Sequence, residues 1–323
     1  MRRRTFLKLA AGAGAASIAA PTVVRAQAAW PDRPVKFIVP FAPGGATDLL
    51  ARPWADVLGK AFNQQFIIEN RGGASGLIGA EATFRSAPDG YTYLFSSNST
   101  TVFQPQLRKI NYDSKGFVLV GRMGDSISGF VVNPKHGFKT LQEMIAFAKA
   151  NPGKLTFGSS GPGTTTHLRL EALKFKAGID ILHVPYRGGS DSLNDLLAGV
   201  VDVMNEGSTL PHAKAGKITL LNVNHFERFA PFPDVPTLTE CGITEADVPV
   251  WFALYGPPGT PADVAAKLNA KINELSATPD MKAKMESASA VPKVQGLGDM
   301  QKHFEADYAS IGELIAKANI KIE

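Results

Sequence analysis

Cysteine is almost missing from this 323-residue chain, where Cys241 stands alone. One thiol forms no intramolecular disulfide and no Cys-x-x-Cys metal or redox pair, so stability has to come from packed cores. The six histidines are scattered, with no His-x-His or His-Glu-x-x-His cluster, which leaves a catalytic metal without a visible ligand set. Phosphate signatures are absent as well. No Gly-Lys-Ser/Thr follows a glycine-rich loop at P-loop spacing, and Gly73, Gly76 and Gly79 lack the first Gly-x-Gly of the dinucleotide fingerprint. No cofactor and no metal are expected. Ser159 and Ser160 do not centre a Gly-x-Ser-x-Gly elbow, because Phe157 precedes one and Pro162 follows the other. With no nucleophile-base arrangement in view, an exported hydrolase is disfavoured and the chain reads as a non-enzyme.

A basic excess also disappears once the N-terminus is set apart. The formal charge is +5, from 34 Lys and Arg against 29 Asp and Glu, and five of the basic residues are Arg2, Arg3, Arg4, Lys8 and Arg25. Without them the charges balance, so nothing suggests nucleic-acid binding. Those five flank an Ala/Gly-rich apolar stretch from Leu9 to Ala20 that ends in Ala26-Gln27-Ala28. Charged region, apolar region and small-residue cleavage site read as an export signal, and the arginine pair followed by Phe6 and Leu7 fits the twin-arginine route. The apolar stretch is too short to span a bilayer, which takes about 20 residues. Residues 1–28 are therefore expected to be removed, placing the mature protein in the periplasm.

About 295 residues then remain, enough for two domains of ordinary size. Short apolar runs ending in glycine turns alternate with helical patterns, which predicts an α/β class with parallel sheets. One such set begins at Val35–Pro40, enters a helix that Pro53 should kink, and continues through strands at 66–69 and 91–96. A second begins at Phe130–Val132 and runs through strands at 155–157, 181–184, 201–204 and 218–223. A last apolar strand at 250–255 precedes a helical block carrying Val264, Leu268, Ile272 and Leu275 on one face. That block has no sheet of its own, so it should return to the first set. Lobe 1 is accordingly assigned to 29–126 and 250–323 and lobe 2 to 127–249, joined by two crossings with a cleft between.

Two glycine-rich loops each follow a strand and open a helix: Pro43-Gly44-Gly45-Ala46-Thr47-Asp48 and Gly158-Ser159-Ser160-Gly161-Pro162-Gly163-Thr164-Thr165. Such loops expose N–H groups at the positive end of a helix dipole and can hold an anion, although strand-to-helix turns also use glycine for geometry alone. Asp48 and Asp191 read as residues that cap helix starts. His167 either faces the cleft or shapes its loop by hydrogen bonding. Tyr186 and Arg187 are candidates for ligand contact, with a solvated or interdomain ion pair as the alternative for Arg187.

These segments, in this order, resemble the Bug or TctC family of extracytoplasmic solute-binding proteins of tripartite tricarboxylate transport systems. The resemblance is carried by Trp30–Pro34, Pro40–Gly45 with Asp48 and Arg52, Glu69–Gly76, Ala87–Thr92, Gly158–Thr164, His183–Gly189, Pro233–Thr237 with Glu240 and Gly242, and Pro257–Pro261. It implies a periplasmic binding protein fold of the Venus-flytrap, type II-like kind, working as a monomer. The implied ligand is a small carboxylate passed to an integral membrane permease; presentation to a signalling receptor would use the same cleft. It also implies that the ligand lies between Ala42, Gly44, Gly45, Ala46 and Thr47 on one side and Ser159, Ser160, Gly163, Thr164 and Thr165 on the other. Ser97, Asn98 and Tyr186 are implied to line the same pocket. Glu206 departs from the family pattern. If it faces the pocket, it would repel a second ligand carboxylate or accept an ammonium or hydroxyl group.

Overall fold

The structure, a computed structural model, describes residues 30–225, 227–244 and 248–322. The expected export signal over residues 1–28 lies outside the described residues. Alternation of apolar runs with glycine turns gives strands β1 (Val35–Val39), β2 (Phe66–Asn70), β3 (Thr92–Ser97), β4 (Val118–Ser126), β5 (Phe130–Val132), β6 (Thr156–Ser159), β7 (Leu182–Pro185), β8 (Val203–Asn205), β9 (Thr219–Leu220), β10 (Trp251–Gly256) and β11 (Ala290–Val291). Between them run helices α1 (Ala46–Phe62), α2 (Leu77–Phe84), α3 (Gln104–Leu107), α4 (Leu141–Ala150), α5 (Thr165–Ala177), α6 (Gly189–Ala198), α7 (Leu210–Lys214), α8 (Ala262–Ser276), α9 (Pro279–Ser287) and α10 (Leu297–Lys317).

The strands form two sheets, ordered β11-β4-β10-β3-β1-β2 and β7-β6-β8-β5-β9. The expectation of parallel sheets holds only around β1 and β6, which pair parallel with β2 and β3 and with β7 and β8. β10 runs antiparallel to β3 and β4, and β5 antiparallel to β8 and β9. The reason is connectivity: β5 and β10 enter their sheets directly from the crossings, without the helix that a parallel connection requires. β4 escapes a hydrophobicity reading because Gly121, Arg122 and Gly124 interrupt it. In the fold Arg122 is 6% exposed, pairs with Asp125 at 2.6 Å and lies 4.8 Å from the Trp251 ring, so a charge can stay in a buried strand. Gly121 is demanded by packing, since a Cβ there would overlap the Ile272 side chain of α8.

α1 continues as one helix through Pro53. It buries Leu50, Trp54 and Leu58 against the sheet, with the Trp54 indole N–H donating to the Met123 carbonyl at 2.7 Å. The C-terminal helices do return to the first sheet. Leu268 and Ile272 of α8 and Met281 and Met285 of α9 share a core with Phe37, Trp54 and Phe95. Met300, Phe304 and Ile311 of α10 pack on the opposite face with Leu94, Trp251 and Tyr255. The second sheet has its own apolar layers, around Phe130, Phe157 and Leu173 and around Val131, Leu196 and Met204. Where the chain leaves and re-enters the first sheet, the two segments lie side by side, with Ser126 N–H donating to Val250 O at 2.9 Å, and Ile127 N–H donates on the other side to Ser289 O, just before β11, at 2.8 Å. No described helix is long and apolar enough to cross a membrane.

Because Ile272 is fully buried in the core that ties the C-terminal helices to the first sheet, Ile272→Ala should cost about 2–5 kcal/mol of stability in a urea titration. A loss below about 0.5 kcal/mol, the range of ordinary surface substitutions, would contradict this packing.

Candidate functional site

Three helices begin at the space between the two sheets: α1 in the first lobe, α5 and α6 in the second. Their N-cap residues are Gly45, Thr164 and Gly188, and none supplies a side-chain cap. By contrast, Thr140 caps α4, away from the cleft, accepting from Glu143 N–H at 3.2 Å. The first N–H groups of a helix have no intrahelical partner and carry its positive partial charge, so three such ends at one cleft make it attractive to anions.

Each loop is held from within. Asp48, in the first turn of α1, reaches back to accept from Gly44 N–H at 2.9 Å, and also takes Arg52 at 2.8 Å and Asn70 at 3.0 Å. Burial raises its pKa, but these hydrogen bonds and the Arg52 charge outweigh that and hold it below the usual value. Asp48 thus fixes its loop, and leaves the helix end open. In the second loop, His167 Nδ1 accepts from Gly163 N–H at 3.0 Å, Thr166 Oγ1 accepts from Ser160 N–H at 3.0 Å, and the Thr164 hydroxyl donates to Gly161 O at 2.7 Å. Gly161 and Gly163 adopt φ of +123° and +71°, backbone that L side chains rarely adopt.

A cavity of about 50 Å³ lies between the loops, room for roughly three to five water-sized groups at about 10–15 Å³ each. Of the residues singled out in the sequence, Gly45, Ala46, Thr47, Ser97, Ser160, Thr164, Thr165 and Glu206 line it. The Thr165 hydroxyl has no hydrogen-bond partner among the described residues, although Thr165 is only 5% exposed. Glu206 bridges the lobes: Oε1 accepts from Ala46 N–H at 3.2 Å and Oε2 from the Ser160 hydroxyl at 2.8 Å. Burial pushes its carboxyl above the usual pKa, opposed by those two donors and by the charge of Arg169. A Cβ on Gly189 would overlap the Glu206 carboxylate, so the start of α6 is bare where that group rests.

Other expected residues stand outside the lining. Ala42 and Gly44 face the α6 turn, with an added Cβ on Gly188 meeting Ala42 Cβ at 3.3 Å and one on Gly44 meeting Ser190 at 3.8 Å. Asn98 lies beneath the surface and donates to Asp307 at 2.7 Å and to Pro249 O at 3.1 Å. Tyr186 turns away to give its hydroxyl to Asp195 at 2.6 Å, while Arg187 is exposed. Ser159 and Gly163 support the loop, and His167 takes the loop-shaping role. Residues that the sequence reading missed include Phe41, Ser99, Ser126, Asn205 and Arg169. Arg169 follows Thr165 by one helical turn and so shares its face, a signal that spacing alone could have supplied. It is 2% exposed and donates to Val248 O at 2.7 Å and to Asn205 Oδ1 at 3.0 Å, with Ser128 as a further partner.

A serine-histidine pair does exist: Ser159 Oγ lies 2.6 Å from His183 Nε2. Ser159 is fully buried and its oxygen also accepts from Gly161 N–H, so no substrate reaches it and the pair shapes the loop. Among the described residues no group of three or more His, Cys, Asp or Glu could hold a metal ion.

Two α/β lobes opening on such a cleft define the fold of periplasmic binding proteins. The model of the tripartite tricarboxylate transporter family receptor matches residues 50–320, and the chain belongs to that family. It is 36% identical to protein BugT of Bordetella pertussis over 90% of each chain. Among solved structures it is similar to the periplasmic binding protein BugD (29% identical, TM-score 0.86, 91% of this chain and 100% of that one). It is similar to R. palustris Rpa4515 with adipate (31%, TM-score 0.87, 90% and 99%) and to MatC from Rhodopseudomonas palustris with bound malate (26%, TM-score 0.82, 88% and 99%). The family and these neighbours are solute-binding proteins and not enzymes.

The rings of His167 and His183 stack 4.0 Å apart, and burial lowers the pKa of each from 6.5 to about 4. Folded imidazoles that resist protonation bind fewer protons than unfolded ones. Their contribution is therefore complete above pH 6.5 and is lost as pH falls from there toward about 4. His183→Gln, which can keep the bond to Ser159, should flatten the fall of the thermal midpoint across that window. Parallel profiles for the two proteins would show that the pair does not govern acid stability.

Proposed function

We propose that this protein captures a small organic acid in the periplasm and hands it to the membrane permease of a tripartite tricarboxylate-type transporter. The observation that carries the reading is the uncapped α5 N-terminus, with the Thr165 hydroxyl that has no partner among the described residues, at a hydroxyl-lined cavity that it shares with the start of α1. Backbone N–H groups and hydroxyls hold a carboxylate without a free cationic side chain, because the helix ends supply the positive potential. In this reading the ligand carboxylate is held by the first N–H groups of α5 and the Thr165 hydroxyl, while Gly45–Thr47 and Ser97 of lobe 1 and Ser160 and Thr164 of lobe 2 line the cavity around the ligand. The adipate and malate of the structural neighbours support an acid ligand.

We place the lobe boundaries at the adjacent crossings, 126–128 and 248–250, and the closing contacts at the opposite rim. There Gln104 and Arg108 of the first lobe both donate to Pro162 O, at 2.9 and 3.2 Å. A ligand touching both lobes stabilises the closed form, which is the form a permease can distinguish.

In a thermal-shift screen of the mature protein against mono-, di- and tricarboxylates, a ligand at 100 times its dissociation constant should stabilise by roughly 2.7 kcal/mol. Thr165→Val should weaken binding of that ligand about tenfold or more, since a hydrogen bond to a charged group is worth roughly 1.5–3 kcal/mol. No shift from any acid would refute the reading, and undiminished affinity in Thr165→Val would remove this hydroxyl from the site.

A further inference from the structure

Glu206 is the carboxylate the chain itself places at the anion-attracting cleft. Its two oxygens span the lobes, one 3.2 Å from the first N–H of α1 and the other 2.8 Å from the Ser160 hydroxyl. The first residue of α6, Gly189, has no side chain where the carboxylate rests, and any Cβ would collide with it. The N-caps of α1 and α6 supply no side-chain cap. Glu206 therefore fills part of the anion-attracting space from within and lines the same cavity as Thr165, whose buried hydroxyl has no partner among the described residues.

We infer that Glu206 sets the ligand class: the cleft takes an acid with one carboxylate whose other end is a hydrogen-bond donor, an amide or ammonium, and discriminates against dicarboxylates. The inference rests on the proposed role of the cleft as an acid-binding site. An ionised carboxylate offers about four acceptor positions, and the two protein donors use only two. A donor on the ligand completes the set. A second ligand carboxylate would instead face Glu206 in a small cavity, where like charges repel. The first carboxylate is left to the N-terminus of α5 and the free Thr165 hydroxyl.

The test uses matched pairs that differ in one group: succinate and succinamate, glutarate and glutaramate, adipate and adipamate. They are titrated calorimetrically at pH 8 into the mature protein and into Glu206→Gln, which keeps the side-chain shape and an oxygen for the Ala46 N–H. The wild type should bind the monoamide of its best pair at least tenfold more tightly than the diacid, and Glu206→Gln should reduce that ratio to threefold or less. Gly189→Ala, whose methyl displaces the Glu206 carboxylate, should move the ratio in the same direction. A wild type that binds a diacid as tightly as its monoamide overturns the inference while leaving the acid site standing. So does a preference that survives intact in Glu206→Gln. If neither protein binds any member of the series, the acid-site reading fails and the inference falls with it.

Discussion

Helix starts without capping side chains are the constraint on which this structure turns. An N-terminus left uncapped costs stability unless something else satisfies its first N–H groups, and α1, α5 and α6 all begin that way at one cleft. The surrounding residues keep it so. Asp48 ties Gly44, Arg52 and Asn70, and His167 holds Gly163, so each loop is braced by its own side chains. Glu206 then reaches across to α1. The groups left without a partner among the described residues, at the start of α5 and on Thr165, lie where a ligand would complete them.

The rest of the fold serves that meeting. Two sheets hold β1 and β6 so that their C-terminal ends point their loops into the cleft, the usual ligand edge of open α/β sheets. The C-terminal helices return to cover both faces of the first sheet, which makes that lobe a solid base. Arg169 joins the two parts at the crossing: one guanidinium links the Val248 carbonyl to Ser128 and to Asn205 at the end of β8. Its charge also moderates the effect of burial on Glu206.

Much of this was legible in the sequence, for physical reasons. Glycine turns between apolar runs mark strand-to-helix loops, so both cleft loops and most strands were found, together with the return of the terminal helices. The order of the strands was not legible, because antiparallel insertion of β5 and β10 depends on the crossings and not on local pattern. β4 was hidden by Gly121, Arg122 and Gly124, whose reasons are tertiary: close approach of Ile272, and a guanidinium neutralised by Asp125 over Trp251. Among the expected site residues, those placed by the loop backbones are mostly the ones that line the cavity. Side-chain direction was the weak point: Tyr186 turns to Asp195 and Asn98 to Asp307, while Arg169, masked by the leucines around it, turns inward.

The most direct check of the central claim is a crystal structure with a bound acid. The helix-end account predicts one ligand carboxylate oxygen at about 2.7–3.2 Å from the Thr165 hydroxyl and from the first N–H groups of α5, with the lobes closed over it. An acid held instead by Arg187, or outside the cavity between the α1 and α5 loops, would contradict it.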